Sequence, residues 1–138
     1  MRRRFAVPLV SAVAAVGLFG VLSGSAYAAD WEVNTGVVTL YDPDELGYFN
    51  QHGDACAIGS PNGRICFDSQ DDGIYVMDEK KDGHSVTGYW LTGNRKGKCI
   101  SKAGAGKWAY CSKNFTEHKA IDIWMEYNGH KYLVTGAT

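Results

Sequence analysis

From Asp30 to the C-terminus the chain alternates apolar with polar residues, and glycine-bearing turns interrupt the alternation every eight to twelve residues. Side chains of a strand point to opposite faces in turn, so a period of two marks a half-buried strand, whereas a helix repeats at about 3.6. Beyond residue 30 no stretch carries the helical period, and a single turn around Asn114 to His118 is the most the pattern allows. β-Branched and aromatic residues fill the runs. The expectation is therefore all-β: an antiparallel sandwich or barrel of about eight to ten short strands. The runs place strands near 33–41, 46–51, 54–59, 64–68, 73–80, 84–92, 97–102, 108–113, 119–127 and 130–136. Asp42-Pro43-Asp44-Glu45 reads as a turn in which proline supplies the fixed φ. Asn62-Gly63, Asp82-Gly83 and Asn128-Gly129 are hairpin signals.

Two of these hairpins can be written out in register. A two-residue turn at Asn128-Gly129 sets Glu126 against Lys131, Met125 against Tyr132, Trp124 against Leu133 and Ile123 against Val134. One face then holds Ile121, Ile123, Met125, Tyr127, Tyr132 and Val134, and the other holds Asp122, Glu126, Lys131 and Thr135 around the Trp124–Leu133 pair. That is a buried face and a wet face, with opposite charges opposed. The same construction at Asp82-Gly83 pairs Tyr75 with Trp90, Val76 with Tyr89 and Asp78 with Thr87. The windows YVMDEKKDGHSVTG (75–88) and IWMEYNGHKYLVTG (123–136) share their vocabulary, and each follows a pair of cysteines. A pseudo-repeat of two similar halves would account for this, as would the limited vocabulary of hairpins.

The cysteines are Cys56, Cys66, Cys99 and Cys111. They follow an N-terminal segment with three arginines, an uncharged apolar run from Leu9 to Leu22 and the small-x-small triplet Ala26-Tyr27-Ala28. Such a segment reads as a secretory signal peptide cleaved after Ala28. Arg2-Arg3-x-Phe5 also fits a twin-arginine start, but a lone arginine pair serves equally as a plain basic region. The apolar run of fourteen residues is short of the roughly 18 or more that span a bilayer. Residues 29–138 then form a single exported domain, with no membrane attachment after cleavage. An even number of cysteines in an exported chain points to two disulfides, and the absence of Cys-x-x-Cys disfavours a zinc ribbon or thioredoxin-type site. Sequential pairing, 56–66 and 99–111, closes hairpin-sized loops and stabilises by ~3 kcal/mol per bridge through loop-closure entropy. A crossed pairing closes longer loops, and energetics alone leave it open.

Charge and composition narrow the function classes. Past the signal, eleven basic and fifteen acidic residues leave a net charge of −4. Twelve acids and three bases lie between Asp30 and Asp82, against three acids and eight bases from Gly83 onward. This is no basic field for phosphate neutralisation, so nucleic acid is not an expected partner. The histidines are His52, His84, His118 and His130; a small hydrolase or ribonuclease-like toxin would pair one with Glu117, Asp54 or Asp82 as acid and base. His84 and His130 follow turn glycines, where a polar residue is ordinary, and only Arg64 and Arg95 remain to stabilise phosphate charge. DSQDDG (68–73) places its acids unlike a calcium loop and reads as a solvated turn. Gly104 and Gly106 lack a phosphate-loop ending. Aromatics are in excess: Trp31, Trp90, Trp108, Trp124, seven tyrosines and three phenylalanines. Exposed Trp and Tyr on a sandwich form sugar-stacking platforms or protein anchors, and Trp108 and Trp124, with Tyr110 and Leu133, are the candidate binding residues. Trp90 and Tyr75 read as core.

With GYFNQHGDA (47–55), DGHSVTGYW (82–90) and the series Cys99, Gly104, Gly106, Cys111, Glu117, the chain resembles a set of small secreted actinobacterial proteins of unknown function. The resemblance covers about residues 47 to 118. It implies export, a small β domain and a Cys99–Cys111 disulfide, with the Cys56/Cys66 pair an addition, and it carries over no catalytic residue. The expectation is a monomeric, non-catalytic binding module without a cofactor or metal, whose partner is an extracellular protein or polysaccharide. The alternatives are the small hydrolase or toxin with a His/Glu pair, and an extracellular protease inhibitor presenting Ser60-Pro61-Asn62 between cysteines.

Overall fold

The computed structural model describes residues 30–41, 54–127 and 130–138. Among these residues nine strands follow one another: β1 Glu32–Val38, β2 Ala55–Ser60, β3 Gly63–Asp68, β4 Gly73–Asp78, β5 Val86–Thr92, β6 Arg95–Ser101, β7 Trp108–Ser112, β8 Ala120–Tyr127 and β9 His130–Ala137. Among the described residues there is no helix. Asn114 to His118, the one place where the pattern allowed a helical turn, is irregular backbone, with His118 at φ 60°. The signal segment, the Asp42–Glu45 turn, the strand at 46–51, His52 and the Asn128-Gly129 turn lie outside the described residues.

Hydrogen bonding orders the strands β2-β3-β4-β7-β1-β6-β5-β8-β9 in one sheet. β2 and β9, the ends of that order, lie side by side, and the sheet curls into a nearly closed barrel. The sheet is mixed, because β1 runs parallel to β6 and antiparallel to β7. The β8–β9 register is the one written from the sequence, from Tyr127↔His130 through Trp124↔Leu133 to Ala120↔Ala137.

The Asp82-Gly83 segment is different. β4 bonds β3 and β7, while β5 bonds β6 and β8, so Tyr75 opposes Cys66 and Tyr110 rather than Trp90. Residues 79–85 are a crossover between the two halves of the barrel, and Gly83 turns within it at φ 79°. The pseudo-repeat therefore does not survive as structure. One window is a hairpin and the other is a connection between strands that do not pair.

Both disulfides pair sequentially. Cys56 and Cys66 oppose each other on the β2–β3 hairpin. Cys99 and Cys111 sit on β6 and β7, which β1 separates, and their bridge of 6.0 Å between Cα atoms crosses the inner side of β1. Gly36 allows that crossing: a Cβ there would stand 2.8 Å from Ala109 Cβ and 3.3 Å from Cys99 Sγ. Inside the barrel Ile65, Phe67, Ile74, Val76, Trp90, Ile121, Ile123 and Met125 form one cluster. Trp90 lies over its cross-strand partner Gly97, where an added Cβ would fall 2.3 Å from the indole. At roughly 1.5–3 kcal/mol per fully buried large apolar side chain, this cluster is the main source of stability.

Candidate functional site

The four candidate binding residues divide between two aromatic clusters on the outer surface of the barrel. Trp108 and Tyr110 belong to β7, beside β4. Tyr75 is their neighbour, with ring centroids 4.9 Å from Tyr110, and Tyr41 covers it at 5.7 Å. Met77 and the Cys56–Cys66 bridge complete this layer. Burial pushes the Tyr75 and Tyr110 phenols above their usual range. Trp108 is only 4% exposed, so it is not part of an open patch: Met77 opposes it, and it packs with Tyr75 and Cys66.

Trp124 and Leu133 belong to the other half. The registers align Val33, Lys98, Tyr89, Trp124 and Leu133 in a row across β1, β6, β5, β8 and β9. Adjacent strands are about 4.8 Å apart, so the row is ~19 Å long. Trp124 is on the outer face, as the hairpin register requires, yet it is 7% exposed. Its ring stacks on Tyr89 at 5.4 Å, Trp31 stands edge-on to both, and Lys131 Nζ lies 3.9 Å from its centroid. Its indole N–H donates to Glu126 at 3.1 Å. The residue that meets solvent is Trp31, 45% exposed, with Lys96 Nζ 5.4 Å from its ring. Val33, Leu91 and Leu133 are exposed around it. Sequence reasoning missed Trp31 and Tyr89. Parity with Val33 on β1 would have placed Trp31 outward, but only the non-local β1–β6 pairing brings it to Trp124.

A polar plug closes the end of the barrel below this row. Arg95 donates from Nε to Glu32 Oε1 at 2.8 Å and from Nη2 to Oε2 at 3.1 Å, and from Nη1 to the Asn114 carbonyl at 2.5 Å. Lys113 donates to Glu32 at 3.2 Å and to Asn34. Both cations face Trp90, at 5.6 and 5.0 Å from its ring, and Arg95 also faces Phe115. The Arg95 hydrogen bond, aided by Lys113, holds the Glu32 carboxyl below its usual range, and the same contact raises Arg95. Removing Glu32 would leave the buried Lys113 ammonium without its carboxylate, so the carboxylate has a structural part in the plug.

The remaining candidates are scattered. His84 and His130 lie at the end where β4 and β8 finish, whereas Glu117 and His118 lie at the plugged end. No described hydrogen bond or ion pair joins a histidine side chain to a carboxylate. DSQDDG forms the turn between β3 and β4, with Asp71 exposed and Asp68 buried, and its acids also accept hydrogen bonds: Asp68 from Gln70 N–H at 2.8 Å, Asp71 from the Tyr75 hydroxyl at 3.2 Å and Asp72 from Phe115 N–H at 2.9 Å. Burial raises Asp68. Among the described residues no group of three or more His, Cys, Asp or Glu is placed to hold a metal. Ser60-Pro61-Asn62 is a tight turn, tied to the crossover by Glu79 N–H on the Asn62 carbonyl at 2.9 Å, and presents no extended segment.

No protein family, curated protein or solved structure matches the chain. Its two disulfides are compatible with an oxidising compartment. Among the described residues no helix is long and apolar enough to cross a membrane.

Proposed function

We propose that the protein is exported, with its signal peptide removed after Ala28, and acts without turnover as a binding module for an extended extracellular glycan. The observation that carries this reading is the outer row: Val33, Tyr89, Trp124 and Leu133 in register with Lys98 across five strands, with Trp31 exposed beside it. An aromatic ring offers the apolar face of a sugar a stacking surface, and a row running across five strands suits a chain molecule better than a compact ligand. Lys96 and Lys131 rest over Trp31 and Trp124 on flexible stems, where they can exchange their ring contacts for sugar hydroxyls. Trp124 and Tyr89 hold Trp31 in place rather than meeting the ligand themselves.

The test is incubation of the purified, oxidised protein with cell-wall and polysaccharide particles, following protein depletion and soluble product together. Depletion without product, reduced by Trp31→Ala, is expected. Soluble sugar released with time would overturn the non-catalytic reading and turn attention to the histidines. Failure to bind any glycan particle would overturn the choice of ligand.

A further inference from the structure

The two ends of the barrel are built differently. Opposite the Glu32–Arg95 plug, the crossover 79–85 and the glycine-rich loop 102–107 flank an open cavity of about 430 Å³ lined by Asp78, Lys80, Lys81, His84, Ser101 and Lys102 among others. That volume lies within the range of small-molecule sites, roughly 300–1,000 Å³. It shares no residue with the outer row.

Asp78 organises the walls. It is 4% exposed; its carbonyl accepts Gly106 N–H at 2.7 Å and its Oδ1 accepts Lys80 N–H at 2.8 Å. The backbone carbonyl thus ties the glycine-rich loop to β4, the single carboxylate in the lining is engaged by the crossover, and Lys80, Lys81 and Lys102 give the cavity a positive balance. This contrasts with the chain as a whole, whose formal net charge is −1. Ser101 supplies a second, independent sign. It lines the cavity at 1% exposure, and its hydroxyl finds no hydrogen-bond partner among the described residues. A buried hydroxyl left without a partner is costly, and a ligand acceptor would satisfy it.

From this geometry we infer that the cavity binds an oxyanion carried on a small organic group: a phosphate monoester, a sulfate ester or a carboxylate. Lysines are point-charge donors suited to such a group, and Ser101 adds a neutral donor from within. A bare oxyanion occupies only a few water volumes of ~30 Å³ each, so most of the cavity remains for the group that carries it.

The experiment is calorimetric titration of the oxidised full-length protein with glucose 6-phosphate, glucuronate, inorganic phosphate and glucose. Saturable binding of glucose 6-phosphate or glucuronate is expected, with none for glucose; whichever binds identifies the source of the anion. Because Lys81 and Lys102 are exposed, Lys81→Gln with Lys102→Gln leaves the fold intact by circular dichroism and weakens binding by about tenfold or more. Ser101→Ala weakens it by roughly threefold or more. Trp31→Ala leaves it unchanged, which separates this site from the glycan-binding face. Absence of saturable binding by any anion, equal binding of glucose, or full affinity in the double lysine variant would overturn the inference.

Discussion

Two aromatic clusters share the outer surface of this barrel, and they differ in what lies over them. Around β4 and β7, Tyr41 covers Tyr75, and Trp108 retains 4% of its surface in contact with solvent. Around β5 and β8, the covering residue is itself an aromatic at the boundary: Trp31 shields Trp124 and remains 45% exposed. The same residue types therefore serve as an extra core layer on one half and as an outward-facing surface on the other. An excess of tryptophan and tyrosine does not by itself mark a binding face. What distinguishes the two clusters is whether the last ring in the stack is covered.

Substitutions should separate the clusters by effect, beginning with the largest. Trp108→Ala removes a buried indole and should cost ~3–5 kcal/mol in denaturant unfolding. A cost below ~1 kcal/mol would mean that this cluster is as open as the other. The next effect is alkaline sensitivity. The Tyr75 and Tyr110 phenols are raised above the ordinary value of 10.0, so the native state keeps its protons where the unfolded chain loses them. Their contribution is fully present below about pH 10 and is lost as pH rises through the folded values. Stability measured against pH should fall above about 10, and Tyr75→Phe should flatten that fall. Trp31→Ala should change stability by less than ~1 kcal/mol while reducing glycan binding, the reverse of Trp108→Ala. The smallest effect is expected for Glu126→Lys, which faces Lys131 across the β8–β9 ladder and should cost ~0.2–1 kcal/mol in the same unfolding measurement.

Local pattern revealed the all-β class, both disulfides and the β8–β9 register, because those features involve residues close in the chain. Asn128-Gly129 is flanked on both sides by alternation that only the Trp124–Leu133 pair interrupts, so turn chemistry and pleat agree on one register. The Asp82-Gly83 window has similar residues, but Asp78-Glu79-Lys80-Lys81-Asp82 is a run of charges that breaks the alternation before the turn. Moreover, each of β4 and β5 has one edge taken by its hairpin neighbour, β3 or β6, and the other by a distant strand, in the pairings β4–β7 and β5–β8. Those pairings, and the parallel insertion of β1 between β6 and β7, have no local signal. The candidate site was legible only in part for the same reason. Parity placed Trp124 and Leu133 on the outer face correctly, while the coverage of Trp124 by Trp31 and of Tyr75 by Tyr41 depends on contacts that link remote segments. The mouth with Lys81, Ser101 and Lys102 had no motif at all, since it forms where two connections meet.

The most direct test of the outer row as the glycan-binding face is amide and indole chemical-shift mapping of the labelled, oxidised protein during titration with soluble glycan fragments. Perturbations centred on Trp31, Val33, Tyr89, Leu91 and Leu133, growing to saturation, are the predicted result. Perturbations confined to the Tyr75–Trp108 half, or none at saturating glycan, would contradict it.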